Sequence, residues 1–122
     1  MRIYTSYFAK IRKIPENIVR VSISLYPPKG YNGKEFKALA PTNEILSNWK
    51  KSPDEERYTR EYFKLLNTMS PHVVYDQLSA LTHGQDCVLL CFEKSDSFCH
   101  RHLFAKWMNE SGYQVSEWTD DI

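Results

Sequence analysis

The residues Cys87-Val-Leu-Leu-Cys-Phe-Glu93 form a near-continuous apolar run of strand length. A strand without polar alternation is covered on both faces, the situation of a central strand in a parallel sheet. It runs straight into Lys94-Ser-Asp-Ser-Phe-Cys99-His-Arg-His102, a short polar loop opening a helix. That helix carries Leu103, Phe104, Trp107 and Met108 on one side, and Asn109-Glu-Ser-Gly112 ends it. Tyr113-Gln-Val-Ser-Glu-Trp118 then reads as a final strand. Strand, helix and strand joined by short turns make a βαβ unit with parallel strands, right-handed by default.

The preceding residues fit onto the same sheet. Ile3-Tyr-Thr-Ser-Tyr-Phe8 is rich in β-branched and aromatic residues and predicts a first strand. Residues 9–17 are too short and polar for a long crossover helix, but a single turn fits. Residues 18–25 alternate, with Val19, Val21, Ile23 and Leu25 facing the core, and predict a second strand. Tyr26-Pro-Pro-Lys-Gly-Tyr-Asn-Gly33 ends it with strong breakers, and residues 34–42 read as irregular. Thr42 or Asn43 caps a short helix through residue 49. Ser52-Pro-Asp-Glu55 combines a cap, a first-turn proline and a capping-box glutamate, so a second helix is expected over 53–68. Ser70-Pro71 repeats the start signal, with Val74, Leu78 and Leu81 on one face and Gly84 as the stop. The fold expected is a single compact three-layer α/β domain over residues 1–122, with a small, mostly parallel sheet.

Composition narrows the function classes. The chain of 122 residues is long enough to bury a core unaided. Its net charge of +1 gives no overall drive toward nucleic acid or an acidic membrane, although Lys10, Arg12 and Lys13, and again Lys50 and Lys51, make local basic clusters. No segment approaches the roughly 20 apolar residues of a membrane span. The amino-terminal residues lack a signal peptide's apolar region and cleavage site. Three cysteines, an odd number without a secretory signal, predict reduced thiols in the cytoplasm.

Chemistry-bearing residues concentrate at the junction between the Cys87–Glu93 strand and the next helix. In open α/β sheets, ligands bind in the crevice beyond the carboxyl ends of the strands. With Asp96 or Ser97 as cap, Cys99 falls in the first helical turn. There the dipole and His100 or Arg101 would favour its thiolate, a nucleophile; the competing reading is a small buried thiol that packs the turn. Arg101 in a helix's first turn opposes the dipole, which a bound anion would offset. Glu93, eight residues earlier, is its competing internal partner. Glu93 itself could serve as general acid or base, hold a ribose hydroxyl, or orient Arg101. His100 and His102 point in different directions, and His100 is the one expected to face the site.

Other strand ends add candidates. Ser6 and Tyr7 close the first strand, while Ser24 and Tyr26 close the second and face the same crevice if the strands are parallel. Tyr31, in a loop without Walker or dinucleotide glycine spacing, could stack on a base. Tyr58 and Tyr62 read as core. Structural zinc usually shows two close ligand pairs, and Cys91, Cys99, His100 and His102 do not form them, so neither a metal nor another cofactor is expected. Cys87 and Cys91 share one face of a strand and read as core.

The segments Leu90-Cys-Phe-Glu-Lys94 and Cys99-His-Arg101, followed by a helix and a Gly-Tyr-Gln-Val strand, resemble the domain-of-unknown-function 488 family. Ile3-Tyr-Thr-Ser-Tyr-Phe8, Pro27-Pro-Lys-Gly-Tyr31 and Leu39-Ala-Pro41 resemble its shorter bacterial and phage-type members. Longer members end the second strand on an aspartate and an arginine, where this chain has Ser22, Ser24 and Leu25. The resemblance implies a small α/β fold with a site around Glu93, Cys99, His100 and Arg101. The function expected is an enzyme-like domain, hydrolase or transferase, that holds a phosphorylated, nucleotide-type ligand. Arg101 would bind the anion, with Ser6, Tyr7, Ser24, Tyr26 and Tyr31 as further contacts. The rival is a non-catalytic module that sequesters a nucleotide signal or docks nucleic acid or protein in phage–host conflict. Nucleic-acid binding through Lys10, Arg12, Lys13 and Arg20 ranks last, because the net charge is small.

Overall fold

A computed structural model describes residues 1–94 and 96–120. Its centre is a five-stranded sheet of β1 (Ile3–Tyr7), β2 (Val19–Ser22), β3 (Lys34–Glu35), β4 (Cys87–Cys91) and β5 (Val115–Glu117) in the order β3-β2-β4-β1-β5. Every pairing is parallel. The apolar run of residues 87–91 is the central strand, and each of its residues is buried. Cys87 and Leu89 face one core while Val88 and Leu90 face the other, which explains why this strand shows no alternation.

The helices α1 (Asn43–Lys51), α2 (Glu55–Leu66), α3 (Pro71–Thr82) and α4 (His100–Glu110) bring residues to the larger core. Ile45, Tyr62, Leu78 and Phe104 meet Val21, Ile23 and Leu89 there. On the opposite face Phe8, Ile14, Ile18 and Trp118 cover Tyr4, Val88 and Leu90. The third layer is therefore thin: a 3-10 turn over Phe8–Lys13 and neighbouring loops stand where a doubly wound sheet would carry helices.

Local chemistry explains the boundaries. Thr42 caps α1 by accepting the Ile45 N–H at 3.2 Å. Asp54, rather than Ser52, caps α2 by accepting the Arg57 N–H at 3.1 Å, so the helix starts beyond Pro53 and ends at Leu66. Pro71 opens α3 as expected, and its end passes through left-handed His83 (φ 56°) and Gly84 (φ 74°). The second strand is shorter than the alternation of residues 18–25 suggests. Ile23 still donates its N–H to the Leu90 carbonyl at 3.0 Å, after which the chain turns away to enter the site. Residues 34–42 are not wholly irregular: Lys34 and Glu35 pair with Val21 and Ser22, and Lys37–Leu39 form a 3-10 turn. Two exposed charged residues carry no hydrophobic signal of a strand.

Candidate functional site

The strand order creates a switch point. From β4 the chain passes through α4 to β5, beyond β1, whereas β2 leads to β3 on the other side. Ligand crevices of α/β sheets lie at such points. Here a pocket of about 320 Å³ opens beyond β2 and β4. Ser24, Leu25 and Tyr26 border it after β2, and Phe92 and Glu93 after β4. Cys99 and His100 line it from the start of α4, and Leu46, Trp49 and Tyr58 from α1 and α2.

The wall is aromatic. Trp49 stacks on Phe98 with ring centroids 5.4 Å apart, and Tyr58 meets both edge-on at 5.5 and 5.2 Å. Burial, and secondarily the Glu93 charge, raise the Tyr58 phenol above its ordinary range, so it stays protonated. Tyr26 and Phe92 stand exposed at the rim, and the Tyr26 hydroxyl donates to Asn43 Oδ1 at 2.9 Å. Among the described residues the exposed Glu93 carboxylate makes no hydrogen bond or ion pair.

Cys99 is itself the residue that caps α4, in extended conformation (φ −159°), and not a member of its first turn. The cap shifts because neither Asp96 nor Ser97 reaches the helix; α4 begins only at His100. Cys99 is buried, and its sulfur is in disulfide contact with that of Cys91 across the β4–α4 connection, where the cysteine count predicts reduced thiols. His100 Nε2 lies 2.7 Å from the Ile23 carbonyl, which can only accept, so Nε2 carries the proton. Nδ1 is then an acceptor, 3.7 Å from Cys99 Sγ. Burial lowers the His100 pKa to about 4, with the Arg101 charge adding to the effect, so the ring is neutral at physiological pH. Cys87 differs: burial and the Asp86 charge push its thiol up to about 12, and it packs as core.

Arg101 has a different position from the one its sequence context suggests. It is fully buried, and its Nε and Nη2 donate to the Glu117 carboxylate at 3.1 and 2.9 Å. Its Nη1 donates to the Glu93 carbonyl at 2.5 Å and to Cys91 Sγ at 2.9 Å. The guanidinium also lies 5.7 Å from the centre of the Tyr7 ring. Glu117, on β5, is thus the carboxylate partner, and Arg101 and Tyr7 sit beside the pocket without lining it. The arginine in a first turn is balanced internally, so an anion is not required there.

The remaining candidates divide by face. Ser24 and Tyr26 line the pocket. Ser6 is buried within β1, and its hydroxyl has no partner among the described residues. Tyr31 lies on the opposite face against Phe8 at 5.4 Å and donates to the Lys34 carbonyl at 2.6 Å. Glu93, Cys99, His100, Ser24 and Tyr26 are therefore brought together, whereas Ser6 and Tyr31 are not. Sequence reading missed the wall formed by Leu46, Trp49, Tyr58 and Phe98. It also missed a shallow groove that shares Tyr26 and Leu46 with the pocket and carries Lys50 and Lys51. The available signal was the pairing of Trp49 with two lysines at the end of a short amphipathic helix.

No described helix is long and apolar enough to cross a membrane. No curated protein and no solved structure matches the chain. A family model does match residues 3–112, from the first strand through the end of α4, and includes every residue of the pocket. The chain belongs to the DUF488-N3a family, described as the active DUF488-N3 subclade.

Proposed function

We propose that this protein binds a nucleotide-type ligand in the pocket beyond β2 and β4 and acts on it as a hydrolase or transferase in the cytoplasm. The observation that carries the reading is a pocket with an aromatic wall and a carboxylate at its mouth, continuous with a lysine-bearing groove. Such a volume falls at the lower end of small-molecule sites, roughly 300–1,000 Å³. A planar base suits the wall of Trp49, Tyr58 and Phe98. Phosphates would lie over Tyr26 and Leu46 against Lys50 and Lys51, the role first considered for Arg101. Glu93 is the acid–base group, because its carboxylate is on the pocket and held by no other described residue. Cys99 and His100 form the reacting end. The family description as an active subclade supports chemistry over passive storage.

Calorimetric titration of nucleosides and their 5′-mono-, di- and triphosphates tests the reading. Nucleotides should bind about tenfold tighter than nucleosides, the effect of one or two exposed charge pairs of about 1 kcal/mol each. Lys50→Glu together with Lys51→Glu should remove that difference and leave nucleoside binding intact. Absence of binding, or an unchanged phosphate preference in the double variant, contradicts it. A ligand recovered intact after prolonged incubation with active-temperature protein identifies the non-catalytic module instead.

A further inference from the structure

We propose that Cys91, Cys99 and His100 form a binding site for a soft divalent metal ion, Zn²⁺, at the floor of the pocket. The two sulfurs and a ring nitrogen of His100 lie within 4.8 Å of one another, and all three residues are buried. Zinc bonds of about 2.3 Å to sulfur and 2.0–2.1 Å to nitrogen place tetrahedral ligand atoms about 3.5–3.8 Å apart. The 3.7 Å between Cys99 Sγ and His100 Nδ1 meets that requirement, whereas the Cys91 and Cys99 sulfurs are in direct contact and must move apart on reduction to admit an ion. Sequence spacing concealed the set, because one ligand ends a strand and the other two open the next helix.

The surroundings suit a metal. The Ile23 carbonyl holds the His100 Nε2 proton at 2.7 Å, which leaves Nδ1 as the ligating nitrogen. Arg101 Nη1 donates to Cys91 Sγ at 2.9 Å, an interaction that favours thiolate. The Arg101 charge is matched by Glu117. Two thiolates and a divalent cation are then neutral together, whereas two bare thiolates in this interior would be strongly unfavourable. Binding replaces two S–H bonds with two S–metal bonds and releases two protons to solvent. A disulfide is the competing use of the same sulfurs. The sulfurs are in contact for it, but the two Cα atoms are 7.8 Å apart, beyond the roughly 4.4–6.8 Å usual for a disulfide, so the reduced pair is the form that takes up an ion.

Cys99 and His100 line the pocket, so an ion held by them would stand at its wall. Three protein ligands with an open position are the pattern of catalytic zinc, in which the ion polarises a bound oxygen and lowers the pKa of its water. With an ion bound, Cys99 would serve as a ligand and not as a nucleophile. Protein groups alone hold the metal, so the inference is independent of which nucleotide enters.

The test uses the intact chain, reduced with a phosphine and freed of metal, titrated with Zn²⁺ against a chromophoric chelator and separately with Co²⁺. One equivalent should bind, and Co²⁺ should give thiolate-to-cobalt charge-transfer bands with the intense visible bands of four-coordination. Cys99→Ser should weaken Zn²⁺ binding by roughly a hundredfold or more, the upper end of outer-shell losses. Cys87→Ala, in the core, should bind like the original. Wild-type protein that takes up neither ion, or shows no sulfur-to-cobalt bands, overturns the proposal without reference to any variant. Equal affinity without Cys99 also overturns it. No nucleotide is added, so failure here and failure of nucleotide binding are read separately.

Discussion

Arg101→Ala is expected to destabilise the fold by about 3 kcal/mol, lowering the melting temperature by roughly 10 °C. The side chain is wholly buried and donates at once to Glu117, the Glu93 carbonyl and Cys91. It thereby ties together the end of β4, the first turn of α4 and the edge strand β5. Removing one partner of a buried pair typically costs about 3–5 kcal/mol, because the other charge remains desolvated. Glu117 retains 23% exposure and the Thr5 hydroxyl at 2.7 Å, so water can reach it and the lower end applies. Arg101→Lys keeps the charge but not the fork, and should fall between alanine and the original. Urea unfolding measures all three. A loss below about 1 kcal/mol for alanine would reduce this network to the rank of a surface ion pair.

Glu93→Gln is expected to act in the opposite sense, with stability unchanged and chemistry lost. Its carboxylate is exposed and engaged by no other described side chain, so the unfolding midpoint should stay within about 0.5 kcal/mol of the original. As the acid–base group of the pocket, its loss should lower nucleotide turnover by about 10²–10⁴-fold. Glutamine is nearly isosteric, so nucleotide affinity should change much less than rate. Single-turnover assays by chromatographic separation of products, paired with calorimetry, separate the two quantities. Equal turnover in both proteins removes Glu93 from the mechanism.

The contrast between these residues marks what was legible in the sequence. The apolar run of β4, the breakers that follow it and the helical face of α4 are local signals, and they placed the parallel core and the junction that holds the site. Glu93, Cys99 and His100 could be read because a strand end and a helix start are adjacent in the chain. Partnerships across the sheet could not. Glu117 lies 16 residues beyond Arg101 and reaches it only because β5 returns beside β1. The sulfur of Cys91 looked like core packing, because nothing in an unbroken apolar strand reveals that its last side chain meets the next helix cap. Tyr58 resembled core for a related reason: it is both buried and part of the pocket wall, a double role that periodicity does not separate.

The central claim is that ligand enters the pocket beyond β2 and β4, and the three tryptophans provide built-in reporters of where it goes. Trp49 lines the pocket, Trp107 donates its indole N–H to Asn67 at 3.1 Å, and Trp118 packs on the opposite face against Tyr4. In a nucleotide titration of the ¹⁵N-labelled protein followed by NMR, the Trp49 indole signal should shift and saturate together with the amides of Glu93 and Cys99. The Trp107 and Trp118 indoles should remain in place. Shifts centred on Trp118 and the Tyr31 face, or a Trp49 signal unmoved at saturating nucleotide, would contradict the account.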